Sequence, residues 1–380
     1  MTTRTRVAVD LLYYTGKRGG TETYIRQVLT RVARMAPDLE FVGLTNRAGR
    51  DAVAAWFPGS LRTVPISGHG RPVWAVAETV AVAPLAARMR ADLLWCPANF
   101  GPGRGRVPRV VTVHDVIAFS HPNPQVSPVT RAVTSWIIRR AARGAEHLLT
   151  VSDDSADAIV RALGIPRGRI TPTPLAGGVP KEVTDVDVEL AALGVPTDRP
   201  IVLSTGNRMP HKNFDGLLRA VATVPADRRP YVVVTGSHGP DPLRPLAAEL
   251  GIEDDVRLLG WVTANQLEAL YATAAVYTCP SLVEGFGLPV LDAMSRGCPV
   301  VANDLPVLRE VGGAAARYVD TEDPQAFGAV LADLAADSGE RARMRDAGRE
   351  RAATFSWDRT AEGTLSVLRS AAADVVSGAR

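Results

Sequence analysis

The 380-residue chain contains three cysteines, Cys96, Cys279 and Cys298, and no Cys-x-x-Cys. Three widely spaced thiols leave one unpaired and form neither a disulfide framework nor a zinc site, so a reduced, cytoplasmic protein is expected. Each thiol lies in or beside an apolar run and reads as a packed core residue. Charge of one sign is also scarce: 43 Lys and Arg against 40 Asp and Glu leave a net of +3, too little to argue for nucleic acid. Long apolar runs are missing as well. VAVDLLYY is broken by Asp10 and reads as a strand rather than a signal peptide. The longest run, AVAETVAVAPLAA from Ala75 to Ala87, holds a Glu and a Pro and falls short of a membrane span. What remains is globular, with 46% hydrophobic residues, 22% charged and a mean hydropathy of +0.04. At this length two domains are expected rather than one enlarged core.

Short apolar runs alternate with amphipathic segments throughout. Strands are expected at Val7–Leu12, Phe41–Thr45, Thr63–Ile66, Leu93–Cys96, Val110–His114, His147–Val151 and Ile170–Pro172. Helical patterns fill the gaps at Thr21–Met35, Trp74–Arg90, Val129–Arg143 and Asp153–Leu163. Near-continuous apolar strands alternating with helices indicate parallel sheets covered on both faces, hence an α/β class. Acid- and Pro-rich Pro180–Arg199 reads as a connector, and the alternation then restarts at Ile201–Ser204, Tyr231–Thr235, Val256–Leu259, Val276–Cys279, Pro299–Ala302 and Arg317–Val319. The expected organisation is two Rossmann-like domains facing each other across a cleft: residues 1–183, a linker at 184–199, and residues 200–358. An amphipathic tail, 359–380, would return to the first domain. Ligands in doubly wound sheets sit outside the carboxyl ends of the strands, so the cleft is the expected site.

The most informative stretch is SLVEGFGLPVLDAMSRGCPVV, from Ser281 to Val301. Glu284 stands in a Gly-rich loop, Asp292 eight positions later, and Pro289 between them in the first turn of a helix, where its missing N–H is not needed. Such a loop presents backbone N–H groups and a positive dipole end to an anion. Carboxylates beside an anion pocket need another purpose, which sugar or ribose hydroxyls supply. The pattern therefore reads as a site for a sugar carried on a phosphate.

An earlier strand of the same block ends in GNRMPHKN, with Arg208 and Lys212 four apart. A planar guanidinium fork and a point charge on one strand-end loop can hold a diphosphate from two sides. A solvated turn with surface cations is the plain alternative, and the Glu284 loop favours the clamp. In the first block GKRGGT, from Gly16 to Thr21, precedes a helix, where glycines let backbone approach a phosphate. His114 and Asp115 end the strand RVVTVH, within reach of a sugar hydroxyl, although a lone strand-end His is more often structural. Asp153-Asp154 and Asp254-Asp255 read as a helix start and a turn, not as metal ligands.

Taken together, EGFGLPVLDAM, GNRMPHKN, GGTETY, VTVHD and RLLGWV resemble the family-4 retaining glycosyltransferases of the GT-B fold, over essentially the whole chain. The resemblance implies sugar transfer from a nucleoside diphosphate donor, with no cofactor and no metal held by the protein. It implies that Arg208 and Lys212 hold the diphosphate. Glu284 would contact the donor sugar, with the backbone of Phe286, Gly287 and Leu288 beside it. Gly19 and Gly20 would approach the phosphate, His114 would sit beside the reacting carbon, and the turn Leu259–Val262 would receive the base, Val262 included. The family usually carries Glu at the second acid. Here Asp292 keeps the acceptor for the ribose hydroxyls but is one methylene shorter, which loosens or shifts that contact.

Rival readings differ in class. A glycoside hydrolase also uses two carboxylates, roughly 5–10 Å apart, whereas residues eight apart along a helix are separated by about 12 Å. It also gives no reason for Arg208 and Lys212. A sugar-nucleotide epimerase shares the twin-domain architecture and is the alternative function, distinguished by release of free nucleotide without an acceptor. A carbohydrate-binding module has no use for a diphosphate. The expected partners are a nucleotide-sugar donor and a small-molecule or lipid-linked acceptor held by loops near Asn99–Arg106 and Ser120–Pro128. The basic amphipathic segment RAVTSWIIRRAAR, Arg131–Arg143, reads first as a core-facing helix with a charged outer face and second as a contact with an anionic membrane. Ala- and Arg-rich usage points to a bacterial source.

Overall fold

The computed structural model describes residues 4–16, 19–64, 77–78, 80–121 and 126–376. It divides into two compact units, one comprising residues 1–175 and 356–380 and the other residues 176–355. In the first unit the order is β1 (Thr5–Leu11), α1 (Gly19–Met35), β2 (Leu39–Thr45), α2 (Arg50–Ala54), β3 (Ser60–Thr63), α3 (Val82–Arg88), β4 (Leu93–Cys96), β5 (Arg109–Thr112), α4 (Ile117–Ser120), α5 (Pro128–Gly144), β6 (His147–Thr150), α6 (Asp153–Leu163) and β7 (Ile170–Pro172). The strands form a parallel sheet in the order β3-β2-β1-β4-β5-β6-β7. β4, β5 and β6 are buried nearly end to end, as strands covered on both faces must be. Trp95 and Tyr24 are fully buried, and the hydroxyl of Thr112 serves both, 3.2 Å from the indole nitrogen and 3.3 Å from the phenol oxygen.

Two expected elements are displaced. The third strand runs over Ser60–Thr63, and Pro65 and Ile66 lie outside the described residues. As an edge strand it alternates exposed Ser60 and Arg62 with half-buried Leu61 and Thr63, so it lacks the continuous apolar run by which its neighbours announce themselves. Of the expected helix Trp74–Arg90, the described part gives α3, while residues 74–76 and 79 lie outside the described residues.

The second unit continues with α7 (Val186–Leu193), β8 (Ile201–Thr205), α8 (Phe214–Thr223), β9 (Tyr231–Ser237), α9 (Arg244–Glu249), β10 (Val256–Gly260), α10 (Ala264–Thr273), β11 (Val276–Cys279), α11 (Leu288–Ser295), β12 (Val300–Asn303), α12 (Pro306–Gly312), β13 (Ala316–Val319), α13 (Pro324–Ala336) and α14 (Ser338–Ala353). Its parallel sheet has the order β10-β9-β8-β11-β12-β13. The direction of strand addition reverses between β8 and β11, and the crevice at such a reversal, outside the carboxyl ends, is where doubly wound sheets bind ligands. The stretch read as a connector carries α7, whose first turn is capped by the Asp185 carboxylate accepting from the Val188 N–H at 3.1 Å. Asp185, Asp187 and Glu189 serve as its cap and first turn.

The chain then returns to the first unit through α15 (Trp357–Val376), which packs on α1 and reaches β4, β5 and β6. Ala361, Thr364 and Leu368 are buried in that contact, and the Thr360 hydroxyl donates to the Pro174 carbonyl at 2.6 Å. All three cysteines are buried free thiols. Among the described residues no helix is long and apolar enough to cross a membrane.

Candidate active site

The carboxyl ends of β8, β11, β12 and β13 are tied into one scaffold. The Asn303 amide donates to the Ser281 carbonyl at 2.9 Å, and its oxygen accepts from the Thr321 N–H at 3.2 Å. Thr321 donates to the Pro280 carbonyl at 3.0 Å and accepts from the Asn213 amide at 3.2 Å. The Leu282 N–H reaches the His211 carbonyl at 2.8 Å. These bonds hold the β8 loop against the β11 loop, and Lys212 meets Glu284, 2.6 Å from Nζ to Oε1. The lysine side chain is 18% exposed and the glutamate 9%. Ser281 donates its hydroxyl to the same Oε1 at 2.7 Å. Beneath lies Cys279, whose thiol is pushed up to about 11 by burial and then by the Glu284 charge, so it is not a nucleophile.

After Glu284 the chain turns into α11 at Gly287, whose φ of +99° belongs to the left-handed region. The backbone favours glycine there, and a Cβ would in addition come 2.7 Å from Leu308 Cδ2 and displace that side chain. Phe286 is buried, its ring nearly perpendicular to that of Phe355 with 6.0 Å between ring centroids. Leu288 and Pro289 open α11, whose first N–H groups are the ones a helix cannot use internally. Val262 lies half-buried just beyond β10.

Arg208, expected as the other half of the clamp, is paired within the protein. Its Nε and one terminal nitrogen hold Asp241, the closest approach being 2.7 Å. The remaining N–H groups donate to the carbonyls of Gly206, Thr235 and Val234 at 2.9–3.1 Å. All five guanidinium donors are spent inside the protein, the two side chains are 7% and 5% exposed, and the guanidinium lies 5.1 Å over the Phe214 ring. Without a ligand, the fork is aimed at Asp241 in the β9 loop.

Asp292 on α11 accepts the Gly178 N–H at 2.6 Å through Oδ1 and lies 3.7 Å from Arg296, which Glu268 holds in turn. Burial raises its pKa, against the lowering by Gly178 and Arg296. One of its oxygens is thus engaged with the segment leading into this unit. The other acid pairs are structural: Asp153 pairs with Arg167 at 2.6 Å, and Asp255 bridges Arg199 and Arg229 at 2.7 Å each. Among the described residues no three or more His, Cys, Asp and Glu side chains come together as a metal-ligand set.

In the first unit Gly19 and Gly20 form the first turn of α1 rather than a loop before it, and both are exposed. Among the described residues, a Cβ on Gly19 would meet no atom beyond its chain neighbours and its own helix within 4 Å. Glu22 holds the approach to this turn, its carboxylate accepting the N–H groups of Thr15 at 2.6 Å and Gly16 at 3.2 Å. Lys17 and Arg18 lie outside the described residues. His114 follows β5, 9% exposed, its ring perpendicular to that of Tyr24 with 4.7 Å between centroids. Its Nε2–H donates to the Pro97 carbonyl at 2.8 Å, which leaves Nδ1 as the acceptor. The His114 N–H donates to Asn99 at 2.6 Å, and the carbonyl accepts the Ser155 hydroxyl at 3.3 Å.

Burial lowers the His114 pKa to about 4, so the ring is neutral near pH 7. Unfolded, it would take up a proton near 6.5. Between those values the unfolded state binds more protons, and stability falls as pH drops through the window, by on the order of 3 kcal/mol in all. Denaturant midpoints of His114→Gln are expected to fall less steeply than those of the parent between pH 6.5 and 4. The raised carboxyls of Asp10, Asp154 and Asp292 act with opposite sign and are common to both proteins. Parallel profiles would show that His114 does not carry this term.

Comparison with known proteins gives the family and the fold. Residues 18–175 match Glycosyltransferase Family 4 and residues 185–351 match the glycosyl transferases group 1. A D-inositol 3-phosphate glycosyltransferase of Streptomyces avermitilis is 31% identical, covering 94% of this chain and 84% of its own. The O-antigen chain mannosyltransferase B of Escherichia coli is 31% identical over 68% of this chain and 70% of its own. The chain belongs to the family 4 glycosyltransferases. Its fold is GT-B, and the structure of Anabaena HepE in complex with UDP and glucose superposes with a TM-score of 0.71 at 18% identity, covering 97% of this chain and 100% of that one.

The turn expected to receive the base offers a side chain as well as backbone. Trp261, in the turn after β10, is 67% exposed, and its indole N–H donates to His238 Nε2 at 2.7 Å. The bond fixes the ring while its face remains open to solvent, a geometry suited to stacking a planar base. Trp261→Ala is expected to weaken nucleoside diphosphate binding roughly tenfold or more, at the stacking values known for bases, while binding of inorganic pyrophosphate stays as in the parent. Calorimetry giving equal losses for both ligands would remove the stacking role.

Proposed function

We propose that this glycosyltransferase moves a hexose from a nucleoside diphosphate sugar to an acceptor hydroxyl, retaining the donor's anomeric configuration and using no metal held by the protein. The observation that carries the reading is the Lys212–Glu284 contact at 2.6 Å beside the N-terminus of α11. A cation and a helix dipole meet the charge of a departing diphosphate, and a carboxylate next to them addresses the sugar. The ammonium has three donors and can serve a carboxylate and a phosphate together. Glu284 takes sugar hydroxyls, Asp292 the ribose, and the turn from Gly260 to Val262 the base. Gly19 and Gly20 admit the diphosphate close to backbone, and the Anabaena relative's complex with UDP and glucose supports this donor class. Arg208 acts through the β9 loop and does not touch the donor.

The state of His114 supports the retaining reading. Its Nε2–H is committed to Pro97 and its ring takes a proton only near pH 4, so it is a poor base for an acceptor. In the proposed step the acceptor oxygen attacks the anomeric carbon from the leaving-group face. The bond from that carbon to the phosphate oxygen breaks, and the departing oxygen takes the acceptor's proton. The anomeric proton coupling of the product, measured by NMR with a donor of known configuration, is expected to match the donor's. Activity is expected to persist in EDTA. An inverted product defeats the front-face step, and complete metal-reversible loss in EDTA defeats the metal-free one.

A further inference from the structure

Seven large apolar side chains are exposed among the described residues, and four of them gather in one region of the first unit: Val80 at 61%, Val129 at 73%, Val133 at 44% and Trp136 at 55%. Val129, Val133 and Trp136 follow one another at helical spacing along α5, opposite the buried face of Ile137, Ile138, Ala141 and Ala142. The same helix carries four arginines and no acid. Beside it opens a cavity of ≈ 580 Å³ lined by Arg104, Trp136, Arg139, Arg140 and Arg143, with no carboxylate in its wall. The Arg140 guanidinium lies 5.4 Å over the Trp136 ring, joining the basic cavity to the apolar stripe. An adjoining concavity of ≈ 450 Å³ shares Arg104 and is lined on its other side by Val80, Ala83, Pro84 and Ala87.

We propose that this face seats on an anionic bilayer, with a lipid phosphate in the arginine cavity. An acidic protein would satisfy the guanidinium groups but would leave the narrow stripe of Val129, Val133 and Trp136 without a partner. A bilayer satisfies both at once, because headgroup phosphates and the acyl boundary lie within one side-chain length of each other. Tryptophan is the side chain that settles at that boundary. The cavity lies toward the start of β5, where Arg109 donates to the carbonyls of Gly144 and Gly105, and so away from the strand ends that carry His114. The inference is therefore independent of the donor assignment.

The test is co-sedimentation of the full chain with vesicles of phosphatidylglycerol and phosphatidylcholine in equal parts, against vesicles of phosphatidylcholine alone. Binding is expected only to the anionic vesicles and is expected to weaken with salt. Replacing three basic residues together, Arg104→Gln, Arg139→Gln and Arg140→Gln, should lower the partition on the order of a hundredfold. Trp136→Ala should lower it further at high salt, where the apolar contribution is what remains. Both variants should keep the parent's melting temperature and nucleoside diphosphate affinity, which separates a docking defect from a folding one. Equal binding to both kinds of vesicle, no binding, or variants indistinguishable from the parent would overturn the proposal. So would pyrophosphate binding that depends on these arginines without vesicle binding, which would make the cavity a site for a soluble anion.

Discussion

Lys212→Met should lower kcat/KM by about 10²–10³, the loss found when one preorganised charge is removed from the path of a developing anion. The substitution keeps the stem that fills space under the loop and deletes only the ammonium. It leaves Glu284, 9% exposed, with the Ser281 hydroxyl at 2.7 Å as its closest partner, so some local stability goes with it. Three measurements separate the two effects. Affinity for the nucleoside diphosphate should fall markedly, affinity for the nucleoside alone should hardly change, and the second substitution in Lys212→Met/Glu284→Gln should restore stability without restoring turnover. If nucleoside and diphosphate lose affinity equally, Lys212 is a structural residue and the leaving-group assignment is wrong.

The fold was legible because burial on both faces of a parallel sheet writes itself as apolar runs. Leu93–Cys96 and Val276–Cys279 occur as expected, and the other central strands lie within a few residues of their expected places. The misses are physical too. β3 is an edge strand with one half-buried face, and SLRT carries the alternation that implies. α7 hid in a stretch whose acids looked like linker composition, because capping and linkers draw on the same polar residues. The start of α1 was placed late because exposed glycines are poor helix formers, although the helix begins with them.

The site was legible where it depends on order along the chain. Glu284 and Asp292 share one loop and helix, so their spacing could be read directly, whereas Phe286, Gly287 and Leu288 entered through the family resemblance. That Lys212 reaches Glu284 depends on Asn303, Thr321 and Asn213, which tie loops more than a hundred residues apart and carry no local signal. Composition held one unused clue. Of 43 basic residues only Lys17, Lys181 and Lys212 are lysine, so a lysine at a strand-end loop is conspicuous in a chain that otherwise uses arginine. The destination of Arg208 was beyond the sequence, because its partner Asp241 lies past the next strand.

Arg208→Met should destabilise the second unit by about 3–5 kcal/mol, the usual consequence of stranding one member of a buried ion pair. Asp241 would keep the Leu243 N–H at 3.1 Å but lose its counter-charge at 5% exposure. The carbonyls of Gly206, Val234 and Thr235 would each lose a donor as well. The double substitution Arg208→Met/Asp241→Leu removes the stranded charge but leaves those carbonyls wanting, so it should recover part of the loss and not all of it. A double-mutant cycle on denaturant midpoints measures the difference as the coupling between the two side chains. Whatever fraction of Arg208→Met remains folded should bind a nucleoside diphosphate nearly as the parent does, because the guanidinium is spent on the protein. A variant that is fully stable but binds the diphosphate weakly would reverse the assignment and return Arg208 to the phosphate. The same experiment thus decides whether this loop meets the leaving group with one cation or with two.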